Sequence, residues 1–203
     1  MELREYLTEE GKSPFGSWLR SIKDMTVRAK IRVRLNRIRL GNFGDSKFVG
    51  EGVRELRLDF GPGYRVYFAQ DGVVLVILLC GGTKKVKAKI LPRQKCIGRT
   101  INGERVMSKL SKSYHQDLLK ELKDPQAAAA YLSAALEDGS MEVFLLALRD
   151  VAEARGISKI SRQTKLNREN LYRMLSEKGN PQLSSLSSLL KSCGLRLSVE
   201  ASS

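Results

Sequence analysis

Between Arg54 and Phe68 the chain reads Arg-Glu-Leu-Arg-Leu-Asp-Phe-Gly-Pro-Gly-Tyr-Arg-Val-Tyr-Phe, two alternating apolar and polar runs joined by Gly61-Pro62-Gly63. That pattern predicts a β-hairpin, because proline presets φ and glycine enters conformations other residues avoid. With Phe60 opposite Tyr64, Leu56, Leu58, Phe60, Tyr64, Val66 and Phe68 share the core face. Glu55, Arg57, Asp59, Arg65 and Tyr67 then share the open face, with Arg65 facing Asp59 and Tyr67 facing Arg57. Guanidiniums can hold phosphate charge, and a phenol and carboxylates can move protons. The same pairs equally suit a wet sheet face with no chemistry. The chain has one histidine, His115, in its second half. Acid–base work in the first half therefore falls to Lys, Arg, Tyr, Asp or Glu.

A second set of polar residues lies near the other end of the chain. Ile157–Thr164 and Arg168–Ser176 read as two short helices with a turn between, Leu166 packing inward and Asn167 as N-cap, a helix-turn-helix pattern. The second helix sends Leu171, Met174 and Leu175 to the core and presents Arg168, Glu169, Asn170, Tyr172 and Arg173 outward. Arginine and asparagine pair bidentately with guanine and adenine edges, so this face suits a DNA major groove, although many such helix pairs only pack.

The elements that position these sets follow from periodicity. Glu2–Leu7 reads as a strand. Ser13-Pro14 opens a helix with Phe15, Trp18, Leu19 and Ile22 on one face. A second helix is predicted from Thr26 to just before Gly41, with Val27, Ile31, Leu35 and Ile38 inward and Arg28, Lys30, Arg32, Arg34, Arg37 and Arg39 around it, a polyanion footprint or simply a solvated surface. Gly41–Gly52 reads as a glycine-rich loop carrying Lys47. Val73–Cys80, continuously apolar, reads as a central strand. Residues 1–90 thus form an α+β domain, two helices on one face of an antiparallel sheet.

Residues 91–113, with Pro92, Gly98 and Gly103 and no helical stripe, read as a basic linker. Met107-Ser-Lys-Leu-Ser-Lys looks like another protein's start. Residues 114–203 read as an all-helical domain: Asp124-Pro125 opens a helix to Glu137, and Ser140 caps one whose stripe is Val143, Phe144, Ala147, Leu148 and Val151. Leu195–Val199 alternates as a terminal strand, a shape that seeks a partner.

The formal net charge is +14. Residues 1–106 hold 22 Lys and Arg against 11 Asp and Glu, a net +11, and the remainder holds 14 against 11, a net +3. That asymmetry points the first half toward a polyanion. Three scattered cysteines support neither a disulfide framework nor a zinc site. No metal or cofactor is expected. No apolar run approaches a membrane span, and the charged start is no signal peptide, so a cytoplasmic protein is expected.

The stretches Gly44-Asp-Ser-Lys47 through Arg57, Gly61-Pro-Gly-Tyr-Arg65-Val-Tyr67 and Cys80-Gly-Gly resemble the phage-derived addiction-module killer proteins of the RelE/HigB-type toxin superfamily. The resemblance runs from about Phe15 to Lys85. It implies a ribosome-dependent mRNA endonuclease in which a ribose 2′-hydroxyl attacks the adjacent phosphate. It also places Arg65 at the phosphate-stabilising position and leaves Arg57, Glu55, Tyr67, Lys47 and Lys84 as candidates for the other roles. Thr83 departs from the acidic residue usual after Cys-Gly-Gly, and the expected C-terminal tail is not evident.

Asp124 through Gly139, Val143 through Asp150 and Glu169 through Ser176 resemble HigA-like antidote proteins with a lambda-repressor-type DNA-binding domain. That resemblance, running from Tyr114 to Val199, implies neutralisation of the toxin and binding to operator DNA. The expectation is a toxin–antitoxin fusion, with ribosome and mRNA as partners of one half, operator DNA as partner of the other, and a homodimer on a two-fold operator. The alternative is a non-enzymatic DNA-binding regulator carrying an inert toxin-like domain.

Overall fold

The computed structural model describes residues 1–72, 75–84, 111–164, 166–176, 178–199 and 201. Two compact units result, Met1–His115 and Gln116–Ser203. Residues 85–110 lie outside the described residues, and with them most of the expected 91–113 linker and the Met107 start read from the sequence.

The first unit contains β1 (Glu2–Tyr6), α1 (Pro14–Ser21), α2 (Met25–Arg39), β2 (Ser46–Gly50), β3 (Val53–Leu58), β4 (Tyr64–Asp71), β5 (Leu75–Thr83) and β6 (Ser111–Ser113). The sheet runs β2-β3-β4-β5-β1-β6, antiparallel from β2 to β5, with β1 parallel to β5 and β6 antiparallel to β1. The expected α+β class is therefore present and β5 is central, as its apolar run implies, but the sheet is mixed rather than antiparallel because β1, which reaches β5 only after two helices and three strands intervene in sequence, pairs with it in parallel. Ser13 Oγ accepts from Gly16 N at 2.9 Å, so the Ser-Pro start of α1 works as expected. α2 starts at Met25, one residue before the expected Thr26, and Asp24 caps it, its Oδ1 accepting from Thr26 N at 2.8 Å and Val27 N at 3.2 Å.

Four features differ from the sequence expectation. The glycine-rich loop contains strand β2, which turns into β3 through Glu51 and Gly52, both at positive φ. Its shortness and its flanking glycines hid its pairing. In the hairpin, Leu58 rather than Phe60 pairs with Tyr64, leaving a five-residue loop and setting Arg57 opposite Arg65 and Glu55 opposite Tyr67. A shift of two residues keeps each side chain on its face but changes every partner. The α2 arginines do not form one solvated face, because Arg32 is buried. Ser111–Ser113, assigned to the linker, is a strand of this sheet.

α1 packs on β5 and β1. Phe15, Leu19, Ile31, Leu35, Ile38, Leu56, Leu58, Val66, Phe68 and Leu78 are all buried. Trp18 lies so close to β5 that a Cβ on Gly81 would sit 2.0 Å from its Cε3. Glycine at position 81 is thus what lets the helix approach the strand.

The second unit is helical: α3 (Tyr114–Glu121, starting in the first unit's last residues), α4 (Pro125–Glu137), α5 (Met141–Arg155), α6 (Ile157–Thr164), α7 (Arg168–Met174) and α8 (Leu183–Ser192). Asp124 and Ser140 cap α4 and α5 as read from the sequence. α4 packs on α5, and α6 packs on α5, α7 and α8. Buried inside, Tyr131 donates its hydroxyl to Asp150 Oδ2 at 2.9 Å. The expected terminal strand is absent: residues 195–199 carry no strand assignment and Val199 is fully exposed. A strand exists only with a hydrogen-bonding neighbour, and alternation alone cannot supply one. Among the described residues no helix is long and apolar enough to cross a membrane.

Because a methyl at position 81 would overlap the Trp18 ring, Gly81→Ala should destabilise the first unit by about 1–3 kcal/mol. Urea denaturation reads this, and an unshifted midpoint would contradict the close approach.

Candidate functional site

On the sheet face that carries Glu55, Arg57, Arg65 and Tyr67, cross-strand register forms two rows. One runs Lys47, Glu55, Tyr67, Cys80 across β2 to β5, and the next pairs Arg57 with Arg65 and then Gly82. The hub is Glu55, 1% exposed. Its Oε2 accepts from the Tyr67 hydroxyl at 3.0 Å. Its Oε1 faces Arg57 Nε at 3.4 Å and Arg65 Nε at 3.8 Å. Arg65 also donates from Nη1 to the Tyr64 carbonyl at 2.8 Å and lies 3.7 Å from Asp59. Arg57 reaches Asp45 at 3.8 Å.

This face is not open as alternation suggested. Tyr67 is 0% exposed and Arg65 7%, while Arg57 is one-third exposed. The cause is a second, smaller apolar cluster on this side, in which Val53, Tyr67, Ala69, Leu79 and Cys80 pack with Tyr6 and Val49. Leu79 and Cys80 are buried together beside a register irregularity between Tyr67 and Phe68, which strict alternation does not anticipate. Lys47 and Lys84 are exposed. Lys84 is tied in by its backbone N–H, which donates to the Gly63 carbonyl at 2.8 Å, and a Cβ on Gly63 would lie 3.7 Å from both Lys84 Cβ and Arg65 Nη1. The structure thus brings Glu55, Arg57, Arg65 and Tyr67 into direct contact, with Lys47 one strand across from Glu55 and Lys84 beside the hairpin loop. Asp45 was missed because nothing in its glycine-rich surroundings marked it as the partner of Arg57.

Burial first, then the charge and hydrogen bond of Glu55, push the Tyr67 hydroxyl well above the ordinary tyrosine range, while Arg65 opposes the shift. Tyr67 therefore stays a proton donor throughout the physiological range. Chemically the arrangement is a carboxylate acceptor, a neutral phenol donor and two guanidiniums on one oxygen pair, a set able to move a proton and hold developing phosphate charge once accessible.

The second unit carries the other predicted set. Asn167 Oδ1 accepts from Asn170 N at 2.7 Å and starts α7, which hangs on fully buried Leu171, with Leu175 buried just beyond it. Met174, expected in the core, is only partly buried. Arg168, Glu169, Tyr172 and Arg173 are exposed and Asn170 is half-buried. Arg168 Nη2 donates to Ser158 Oγ at 2.7 Å and Arg173 Nη2 to Asn170 Oδ1 at 2.8 Å. Arg149 of α5 stands 5.7 Å from the Tyr172 ring centroid, adding a third guanidinium that sequence spacing did not reveal. An open groove of about 490 Å³ runs beside this helix, lined in part by Asn170, Arg173, Lys178 and Gln182. It joins the helix to the start of α8.

Tyr67 generates a sharp expectation. Its hydroxyl is held protonated in the folded state while an unfolded tyrosine ionises near pH 10, so the stability it contributes is complete below about pH 10 and is lost as pH rises further. Tyr67→Phe should weaken this alkaline fall. At neutral pH the same change should cost about 1–3 kcal/mol, because it leaves Glu55 Oε2 without its donor. Denaturant midpoints from pH 7 to 11 measure both effects, and parallel curves for the two proteins would exclude the buried phenol.

Comparison with known proteins bears on the second unit. Residues 112–201 match the family described as probable addiction module antidote protein. An uncharacterised protein of Haemophilus influenzae (strain Rd) is 46% identical over 87 residues, 43% of this chain and 88% of the relative. A second uncharacterised protein of the same organism is 34% identical over 86 residues, 42% of this chain and 89% of its own length. No solved structure matches the chain. Through this region, residues 112–201, the chain belongs to the family of probable addiction module antidote proteins.

Proposed function

We propose that the chain is a toxin–antitoxin fusion. Its C-terminal part is a HigA-like antitoxin that binds the operator of its own operon through α7 and represses it. Its N-terminal unit is a RelE/HigB-like, ribosome-dependent mRNA endonuclease held inactive. The observation that carries the reading is the surface of α7 formed by exposed Arg168 and Arg173 with half-buried Asn170 between them, seated on buried Leu171 inside a segment of the antidote family. Arg168 and Arg173 would contact guanine edges or phosphates and Asn170 an adenine edge, with Asn167, Glu169 and Tyr172 bordering the contact. One short reading helix per chain implies a homodimer on a two-fold site.

In the first unit, the burial of Glu55, Arg65 and Tyr67 supports an inhibited state. When opened, Glu55 would take the 2′-hydroxyl proton and Tyr67 would supply one to the leaving oxygen. Arg65 and Arg57 would hold the charge on the phosphorane, with Lys47 and Lys84 steering the RNA backbone. The same burial favours a second reading, a DNA-binding regulator whose toxin-like unit is inert.

Two measurements separate these. In a gel shift on the DNA upstream of its own reading frame, the full chain should bind with steep salt dependence. Arg168→Ala and Arg173→Ala should each weaken binding by about tenfold or more. Binding unaffected by both substitutions would remove α7 as the reading element. Expression of residues 1–106 alone should arrest growth, and Arg65→Ala should relieve the arrest. Harmless expression of the folded wild-type fragment would leave the inert reading standing.

A further inference from the structure

The region that belongs to the antidote family begins at residue 112, yet its first residues are built into the N-terminal unit. β6 lies antiparallel beside β1 with Arg4 opposite Ser113, Glu5 opposite Lys112 and Tyr6 opposite Ser111. Without β6, β1 would be the edge of a five-stranded sheet, with its outer backbone groups unpaired.

Side chains fix the register. Arg4 donates from Nε to Ser111 Oγ at 2.7 Å and from Nη2 to the Ser111 carbonyl at 3.0 Å. Lys112 Nζ stands 3.3 Å from Oε2 of Glu5, a carboxylate only 3% exposed. Space for that carboxylate is kept by Gly16 of α1, where a Cβ would lie 2.7 Å from Glu5 Oε2. Tyr114, 0% exposed, sits with its ring centroid 6.3 Å from that of Phe15. Its hydroxyl accepts from Arg32 Nη1 at 3.2 Å, and the Arg32 guanidinium carbon lies 5.6 Å from its ring centroid. An extended peptide on an open sheet edge, a buried charge opposite its lysine and a pocket for its aromatic residue are the parts of recognition by strand addition.

We propose that Ser111–His115 is the recognition peptide by which the antidote part holds the N-terminal unit. The outer edge of β1, Glu5 and the Phe15–Arg32 pocket are its receptor. The fused chain is then the covalently joined form of a complex that persists without the peptide linkage. This rests on reading the N-terminal unit as the antidote's partner, but not on that unit cleaving RNA.

The test uses the full chain with a protease recognition sequence inserted after Asn102, cleaved after folding and passed over gel filtration. The two pieces should co-elute. Excess synthetic peptide of residues 111–121 should release the C-terminal piece, whereas a scrambled peptide should not, a comparison that requires no mutant to fold. Lys112→Glu should weaken association by about tenfold or more, and adding Glu5→Lys should restore it. Pieces that separate on cleavage, a native peptide that releases nothing, or a Lys112→Glu protein that holds together as well as wild type would each overturn the proposal. The gel shift and growth assays report separately on the function. Protein that separates on cleavage while still shifting operator DNA removes this inference and leaves the antitoxin reading intact.

Discussion

A carboxylate sealed inside a protein must be matched by donors and positive charge, and Glu55 sets that requirement at the middle of the first unit's sheet. One of its oxygens holds the Tyr67 hydroxyl and the other lies against two guanidiniums. Losing either arginine weakens the charge balance of this buried carboxylate, and losing Tyr67 removes a hydrogen bond from it, so the four residues are energetically coupled. The strand register that sets Glu55 against Tyr67 and Arg57 against Arg65 is the register these contacts need. Like-charged arginines directly opposite one another are tolerated because Glu55, Asp45 and Asp59 lie within reach of them.

The two sides of that sheet differ in kind. One side is an ordinary helix-covered core, tight enough that Trp18 requires glycine at position 81. The other mixes apolar packing with ionisable groups, which keeps Tyr67 neutral and places Arg65 out of solvent. A site built this way is chemically equipped yet closed.

The second unit follows a simpler rule. Helices pack around Leu171, Leu148, Val151 and the buried Tyr131–Asp150 hydrogen bond, leaving α7 short, anchored from below and polar above. Holding that helix by one buried leucine and an asparagine cap gives its arginines a rigid base, and Arg149 stacked toward Tyr172 extends the positive surface onto α5.

By itself the amino-acid order determined the elements whose signals are local. These are the Ser13 and Asp124 caps, the amphipathic helices, the Gly-Pro-Gly hairpin, the central apolar strand and the pair of short helices at 157–176, because a cap or a periodic stripe involves residues only a few positions apart. Tertiary structure decided what depends on distant partners. Leu58 rather than Phe60 closes the hairpin, Leu79 and Cys80 help bury the face that alternation left wet, β2 emerges from a glycine-rich loop, and the alternating tail at 195–199 forms no strand. Arg32 meeting Tyr114, 82 residues away, and Lys112 meeting Glu5 are contacts that no window of sequence contains. Hydrogen-bonded edges and buried charges choose their partners across the whole fold, and only the folded chain presents the choices.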